Sequence, residues 1–457
     1  MLFTTKWLSN HFTNFCGEAA DAITINTVTT DSRQKLKQSL FIPIVGERFD
    51  GHDYMKQALE NGAVAAFWDE NKPLPQFLPT DFPVFLVADT LTALQTLATH
   101  YRNNVNPIVI GITGSNGKTT TKDIVTAIAK TTYRTHYTNG NFNNHIGLPL
   151  TVLSMQKDTE VLVLEMGMSD FGEIERLSNI AKPDYAIITN IGESHIEFLG
   201  SRQGIAQAKL EITKGLKADG MVIFDGDEPL LNTALQQNHN IACGFHQKND
   251  VIVSDVDVHT KKTTFRLSGT SYTIPLLGRH HALNAAFAIV LGEALSITKE
   301  KMKQALTTLE VTAMRFELKQ GVHDVSMIND AYNASPTSMK AAIEVVKQMD
   351  GFKEKVLVLG DILELGNHSE ALHRSVSEVI DSPITAVFTF GKDAEKISTA
   401  VTKEKPYIKG KHFAVKEELL AALQPYLHDE ALLLFKASRG LQFESLVEAL
   451  MIQSEHK

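Results

Sequence analysis

The stretch PIVIGITGSNGKTT (107–120) decides the fold. Its first half is apolar and β-branched, then it breaks into glycines. Lys118 to Thr132 continues with helical spacing, marked by Ile124, Val125 and Ile128. That order is strand, glycine loop, helix. Successive glycines let backbone N–H groups turn inward around phosphate oxygens, and a helix N-terminus adds partial positive charge. Lys118 can neutralise β- and γ-phosphate charge, and the Thr119 hydroxyl can ligate Mg²⁺. The strict spacing G-x-x-x-x-G-K-[ST] fails, because position 112 is Ile; the shorter Gly114-Ser115-Asn116-Gly117-Lys118-Thr119 stands. The strand before and the helix after supply the context that a nucleotide loop requires.

Outward from this loop, buried-strand runs recur at 161–167 (VLVLEMG), 185–191 (YAIITNI) and 221–227 (MVIFDGD). Polar residues gather where they end, and open parallel sheets bind ligands at the carboxyl ends of their strands. Glu165 ends one run beside the loop, where a carboxylate can bind Mg²⁺. His195 follows another, and Lys209 lies in GIAQAKLEI; taken singly, either reads as an ordinary solvated residue. Residues 251–274 alternate and turn, as a small antiparallel excursion does. Helices are expected near His281–Leu295 and Lys299–Leu309. A second series of strands (325–330, 356–361, 386–391, 431–437) alternates with helical stretches at Ser338–Met349 and Glu370–Ile380, which implies a second parallel sheet. Linkers are expected near 102–107 and 311–315.

The chain has 457 residues, and at about 100–200 residues per domain three domains fit best. With 43% hydrophobic and 21% charged residues it has the balance of a soluble globular protein. The net charge of −9, without basic runs, argues against a nucleic-acid partner. Cys16 and Cys243 are the only cysteines, which excludes a disulfide scaffold and fits a reducing compartment. The start, MLFTTKWLSNHF, lacks the apolar run of a signal peptide. The most apolar window, Ala282–Ile297, contains Asn284 and Glu293 and reads as a buried helix rather than a membrane span. A cytoplasmic location is expected.

The segments TGSNGKTT, NFNNHIGLPLT, EMGM, ITNIGESHIEFLGS, IAQAKLEI, GRHHALNA and DAYNASPTSM, in this order, resemble the Mur ligase family of ATP-dependent amide-forming ligases. TTDSR…LFIPIVGERFDGHDY resembles that family's nucleotide-sugar-binding domain. DAYNASP, VLGDILELG and KASRG are most similar to the member that joins D-alanyl-D-alanine to UDP-N-acetylmuramoyl-tripeptide. The resemblance implies an α/β protein of three domains. They are a smaller N-terminal UDP-substrate domain (1–104), a central ATP-binding domain with a mostly parallel P-loop-type sheet (105–312), and a C-terminal Rossmann-like domain (313–457). It implies that Gly114 through Thr120 hold ATP, that Asn284 meets the adenine, that Arg315 reaches the phosphates, and that Asp330 holds the ribose. Thr119 and Glu165 would bind one Mg²⁺; His195 and a carbamylated Lys209 would help bind a second. Lys118, Glu165, His195, Lys209 and Arg315 would be the catalytic set.

Ser32 and Arg33 would contact the uridine nucleotide. Asn141, Asn143 and Asn144 would line the central cleft, and Asn333, Lys436 and Arg439 would complete the substrate site. No membrane span and a monomer are expected. Three positions depart from the family pattern: Met314 stands where Gly is common, His281 where Asn is common, and KASR (436–439) where KGSR is common. Another amide ligase of the superfamily, either the third-stem-residue ligase or a folylpolyglutamate synthase, and a P-loop switch are the competing readings.

Overall fold

The computed structural model describes residues 1–451 apart from 20, 236–238, 260 and 311. Residue 311, the first of the second expected linker, therefore lies outside the described residues. The fold is α/β in three domains built on three main sheets. The largest has nine strands. From one edge they are Thr135–Tyr137, Val161–Glu165, Ile108–Thr113, Tyr185–Ile188, Met221–Asp225, Ile241–Gly244, Val251–Val258, Thr263–Leu267 and Thr270–Ile274. The first seven run parallel, and the last two are joined to them and to each other by antiparallel pairing. The excursion expected at 251–274 is thus antiparallel, and it extends the parallel sheet, because Val251 pairs with Cys243.

Ile108–Thr113 sits between Val161–Glu165 and Tyr185–Ile188, so the chain crosses over it and leaves a crevice at its carboxyl end. The helix Lys118–Lys130 starts there. The helix Arg279–Ala294 packs against it and is buried from His281 through Gly292, which explains its all-round apolar sequence.

The C-terminal sheet has six strands in the order Glu317–Gln320, Ser326–Asn329, Ala431–Lys436, Glu354–Gly360, Ala386–Phe390 and Lys409–Phe413; all but the first run parallel. The N-terminal sheet has five short strands. A helix spanning Thr90–Val105 leaves it, so the linker expected from 102 begins only at Asn106, which turns left-handed. Helical periodicity explains the difference: Leu94, Leu97, Ala98 and Tyr101 form one buried face. The Tyr101 hydroxyl donates to the Met155 carbonyl at 2.9 Å, tying this helix to the central domain. One buried apolar cluster runs continuously from Leu8 through Leu164 to Leu434, so the three domains share a core rather than touching only at their rims.

Candidate active site

The phosphate loop is shaped by two glycines with left-handed backbone. Gly114 has φ +147, and a Cβ there would lie 1.8 Å from Thr189 Oγ1. Gly117 has φ +80, and a Cβ would meet the Asn284 amide at 2.9 Å. Polar contacts hold the rest of the loop. The Asn116 N–H donates to Asn190 Oδ1 at 3.0 Å, and Ser115 Oγ accepts from the Gly192 N–H at 2.9 Å. Lys118 is half-buried, its Nζ donating to the Gly114 carbonyl at 2.7 Å. Burial pushes its pKa down, partly opposed by the Glu165 carboxylate. Ser115 through Thr120 line a cavity of about 830 Å³.

Glu165 closes its strand at 3% exposure. Thr119 Oγ1 donates to its Oε2 at 2.9 Å, and Asn143 Nδ2 donates to its Oε1 at 2.8 Å. Arg315 Nη2 donates to Thr119 Oγ1 at 3.0 Å. His195 lines the same cavity, and its Nδ1 lies 2.5 Å from Glu364 Oε2. That contact holds the Glu364 carboxyl below its ordinary range. The Glu165 carboxylate and the Thr119 hydroxyl facing one cavity are hard oxygen donors of the kind that suits Mg²⁺, with the His195 imidazole beside them as a softer nitrogen. Among the described residues no three His, Cys, Asp or Glu side chains converge here. Lys209, on the helix Arg202–Leu210, is 2% exposed. Burial first, and then the Lys118 charge, push its pKa well below that of a free lysine. It is not among the residues that line the cavity.

The C-terminal domain supplies the opposite wall through Arg315, Asp330, Tyr332, Asn333 and Lys436. The Arg315 guanidinium lies 4.0 Å from the Tyr332 ring centroid. Met314 and Phe316, on either side of it, have φ +60 and +55. Met314 thus holds a left-handed backbone that a glycine would adopt without strain. Lys436 is not a surface residue: at 3% exposure its Nζ donates to Asp330 Oδ2 at 2.6 Å. Asn284 is buried and lines the cavity, as do His280 and His281, whose rings lie 4.0 Å apart. Burial pushes both histidines down, His280 to about 4, so each is neutral near pH 7.

Of the remaining sequence-named residues, some line this cavity and others lie outside it. Asn143 and Asn144 line it; Asn141 is exposed and does not. Arg439 pairs with Glu444 at 2.9 Å. In the N-terminal domain Ser32 is buried, its hydroxyl donating to Gln57 Oε1 at 2.7 Å, while Arg33 is exposed and pairs with Asp31 at 2.8 Å. Several groups at the domain joint escaped the sequence. Ser335 Oγ donates to Asn116 Oδ1 at 3.0 Å, Thr337 Oγ1 donates to Glu193 Oε2 at 2.7 Å, and the Thr312 N–H and hydroxyl both donate to Asp123 Oδ2 at 2.9 Å. Only Ser335, in a Ser-Pro helix start, carried a local signal.

Asp225 also lines the cavity, and burial raises its pKa to about 7. The folded state therefore keeps a proton that the unfolded chain releases above its ordinary value of 3.8. The stabilisation this group contributes is full below pH 3.8 and is lost as pH rises through 7. Relative to Asp225→Asn, wild-type stability should fall across that window by at most about 1.4 kcal/mol per pH unit. Melting temperatures of the two proteins against pH check this; parallel curves would contradict it.

Comparison with known proteins matches the chain to three family descriptions: Mur ligase middle domain over 112–292, Mur ligase glutamate ligase domain over 314–439, and Mur ligase family catalytic domain over 24–102. It is 49% identical over 431 residues to the UDP-N-acetylmuramoyl-tripeptide–D-alanyl-D-alanine ligase of Bacillus subtilis, covering 93% of each chain. The crystal structure of MurF from Acinetobacter baumannii superposes with a TM-score of 0.87 at 29% identity, covering 99% of both chains. MurF from Thermotoga maritima, in complex with ADP, superposes with a TM-score of 0.82 at 29% identity, covering 94% of this chain and 98% of that one. The cleft between two α/β sheets, entered by a phosphate loop from one and an arginine from the other, belongs with these matches, and the chain is a member of the Mur ligase family.

Proposed function

We infer that the chain joins D-alanyl-D-alanine to UDP-N-acetylmuramoyl-tripeptide, consuming ATP through an acyl phosphate. The observation that carries this reading is the cavity itself, in which Lys118 and Thr119 from one domain meet Arg315, Asp330 and Lys436 from another. The 49% identity along nearly the whole chain supports this member of the family over the third-stem-residue and folate ligases. The domain boundaries at 104/105 and 312/313 belong to this reading, with Ser32 and Arg33 in the UDP-substrate domain. So do a cytoplasmic location and a monomeric enzyme.

In this reading the loop N–H groups and Lys118 bind the nucleotide phosphates, and Arg315 spreads charge on the transferring group. Thr119, Glu165, His195 and a carbamylated Lys209 would hold two Mg²⁺, which neutralise phosphate charge when bound. Asn284 orients the adenine. Asp330 holds the ribose, and Lys436, paired with it, fixes its direction. Asn143 steadies Glu165, and Asn144, Asn333 and Arg439 shape the approach of the peptide and amine. The tripeptide carboxylate takes the γ-phosphoryl group of ATP as ADP leaves, and the amine of D-alanyl-D-alanine then displaces phosphate from the acyl phosphate, losing a proton as the amide forms. Closure of the two domains keeps water from that intermediate.

Phosphate release should require ATP, the UDP-linked tripeptide and D-alanyl-D-alanine together. Tripeptides carrying meso-diaminopimelate or L-lysine in turn identify the third residue. Phosphate release at full rate without the amine would favour a P-loop switch instead.

A further inference from the structure

The segment Glu193–Glu197 of the central domain, which leads into the short helix Ile196–Leu199, meets the C-terminal domain at two separate places. Glu193 Oε2 accepts from the Thr337 hydroxyl at 2.7 Å and from its N–H at 3.3 Å. Two residues on, His195 Nδ1 lies 2.5 Å from Glu364 Oε2, and the Glu197 N–H donates to the Glu364 carbonyl at 3.2 Å. Neither His195 nor Glu364 is glycine, yet both have left-handed backbone, with φ +64 and +61. Strain of this kind persists where the surroundings demand one arrangement, and it gathers at functional sites. As an ion pair the contact contributes little, since the side chains are 22% and 45% exposed. Its value lies in geometry. An imidazole that binds a metal through one nitrogen typically gives its other N–H to a carboxylate, which selects the tautomer and sets the ring plane. His195 Nδ1 is buried and makes no other hydrogen bond among the described residues, so Glu364 Oε2 is the acceptor that rotation of either side chain would bring into line with its N–H, with or without bound ligand.

We propose that Glu364 is a positioning residue for His195, delivered by the C-terminal domain so that Nδ1 is engaged and Nε2 is left to serve the nucleotide-bound cation. The inference rests on the reading of His195 as a metal-site residue. It makes the assembly of that site depend on domain closure, because the imidazole and its orienting carboxylate lie in different domains.

The test compares Glu364→Ala, Glu364→Gln and His195→Ala. Glu364→Ala should lower kcat by about 10- to 100-fold and raise the Mg²⁺ concentration for half-maximal rate, with the KM for the tripeptide little changed. Glu364→Gln keeps an acceptor oxygen and should recover part of the loss. In ligand-free protein, ¹⁵N spectra of the histidine rings should show His195 protonated on Nδ1 in the wild type and a mixture of tautomers in Glu364→Ala. An unchanged His195 tautomer in Glu364→Ala would overturn the proposal even if the rate fell, since the loss would then have another origin. A fully active His195→Ala would instead overturn the reading of His195 on which the proposal stands.

Discussion

Lys118→Ala should fold with nearly the wild-type melting temperature and lose ligation by at least about 10²–10³-fold in kcat, the scale seen when one preorganised charge-stabilising donor is removed. The Lys118 ammonium is tethered to the Gly114 carbonyl, so it is held over the loop rather than left to search for the phosphates. Arg315 and Lys209 are the neighbouring basic side chains. Arg315 is committed to Thr119 and stacked on Tyr332, and burial depresses Lys209, so neither can take over its place. Folding should survive because the loop is pinned by Asn190, Gly192 and Thr189, not by the lysine. Steady-state rates together with a thermal melt decide it. Near-normal turnover in a folded variant would remove Lys118 from the phosphate site.

Lys209→Ala should also fold and should lose at least about 10- to 100-fold in activity, the scale on which a metal site responds when a supporting group is removed. A plain surface lysine would make the substitution silent, but Lys209 is 2% exposed, and among the described residues the only charge that acts on it is the like charge of Lys118. Burying a lone ammonium is costly, so such a site favours the neutral amine, and a neutral amine is the form that takes up CO₂. The resulting carbamate reverses the sign of the charge beside Lys118. Removing an unpaired buried amine need not destabilise the fold, which separates a chemical role from a structural one. Formate or acetate should partly restore activity to Lys209→Ala by placing a carboxylate in the vacated space. Mass spectrometry under non-acidic conditions should find the added CO₂ on the wild type. Full activity in Lys209→Ala would refute the role, and failure to detect the adduct in active enzyme would refute the carbamate.

The central sheet and its loop were legible because their signals are local. A β-branched run, glycines that must turn left-handed, and a 3.6-residue period all lie within the few residues that they shape. The same holds for Glu165, whose place at the end of a strand follows from the strand. Short edge strands such as Thr135–Tyr137 and Glu317–Gln320 carried no such signal, since pairing with a neighbour, not their own pattern, makes them strands. The Arg102–Val105 segment was read as linker because its Asn-rich end masks the helical face set by Leu94, Leu97 and Tyr101.

By itself, then, the sequence determined a nucleotide loop on a parallel sheet, a second parallel sheet after it, and the motif order that places the chain in its family. The tertiary structure alone decided how the two halves of the site meet. Lys436 and Asp330 are 106 residues apart, Glu193 and Thr337 are 144, and Asp123 and Thr312 are 189. No periodicity links such pairs. The first pair exists because neighbouring strands of one sheet bring the two residues side by side, and the other two because two independently formed sheets come to rest at one relative position, set by a core continuous across all three domains; that position turns an ordinary surface glutamate such as Glu364 into the neighbour of His195.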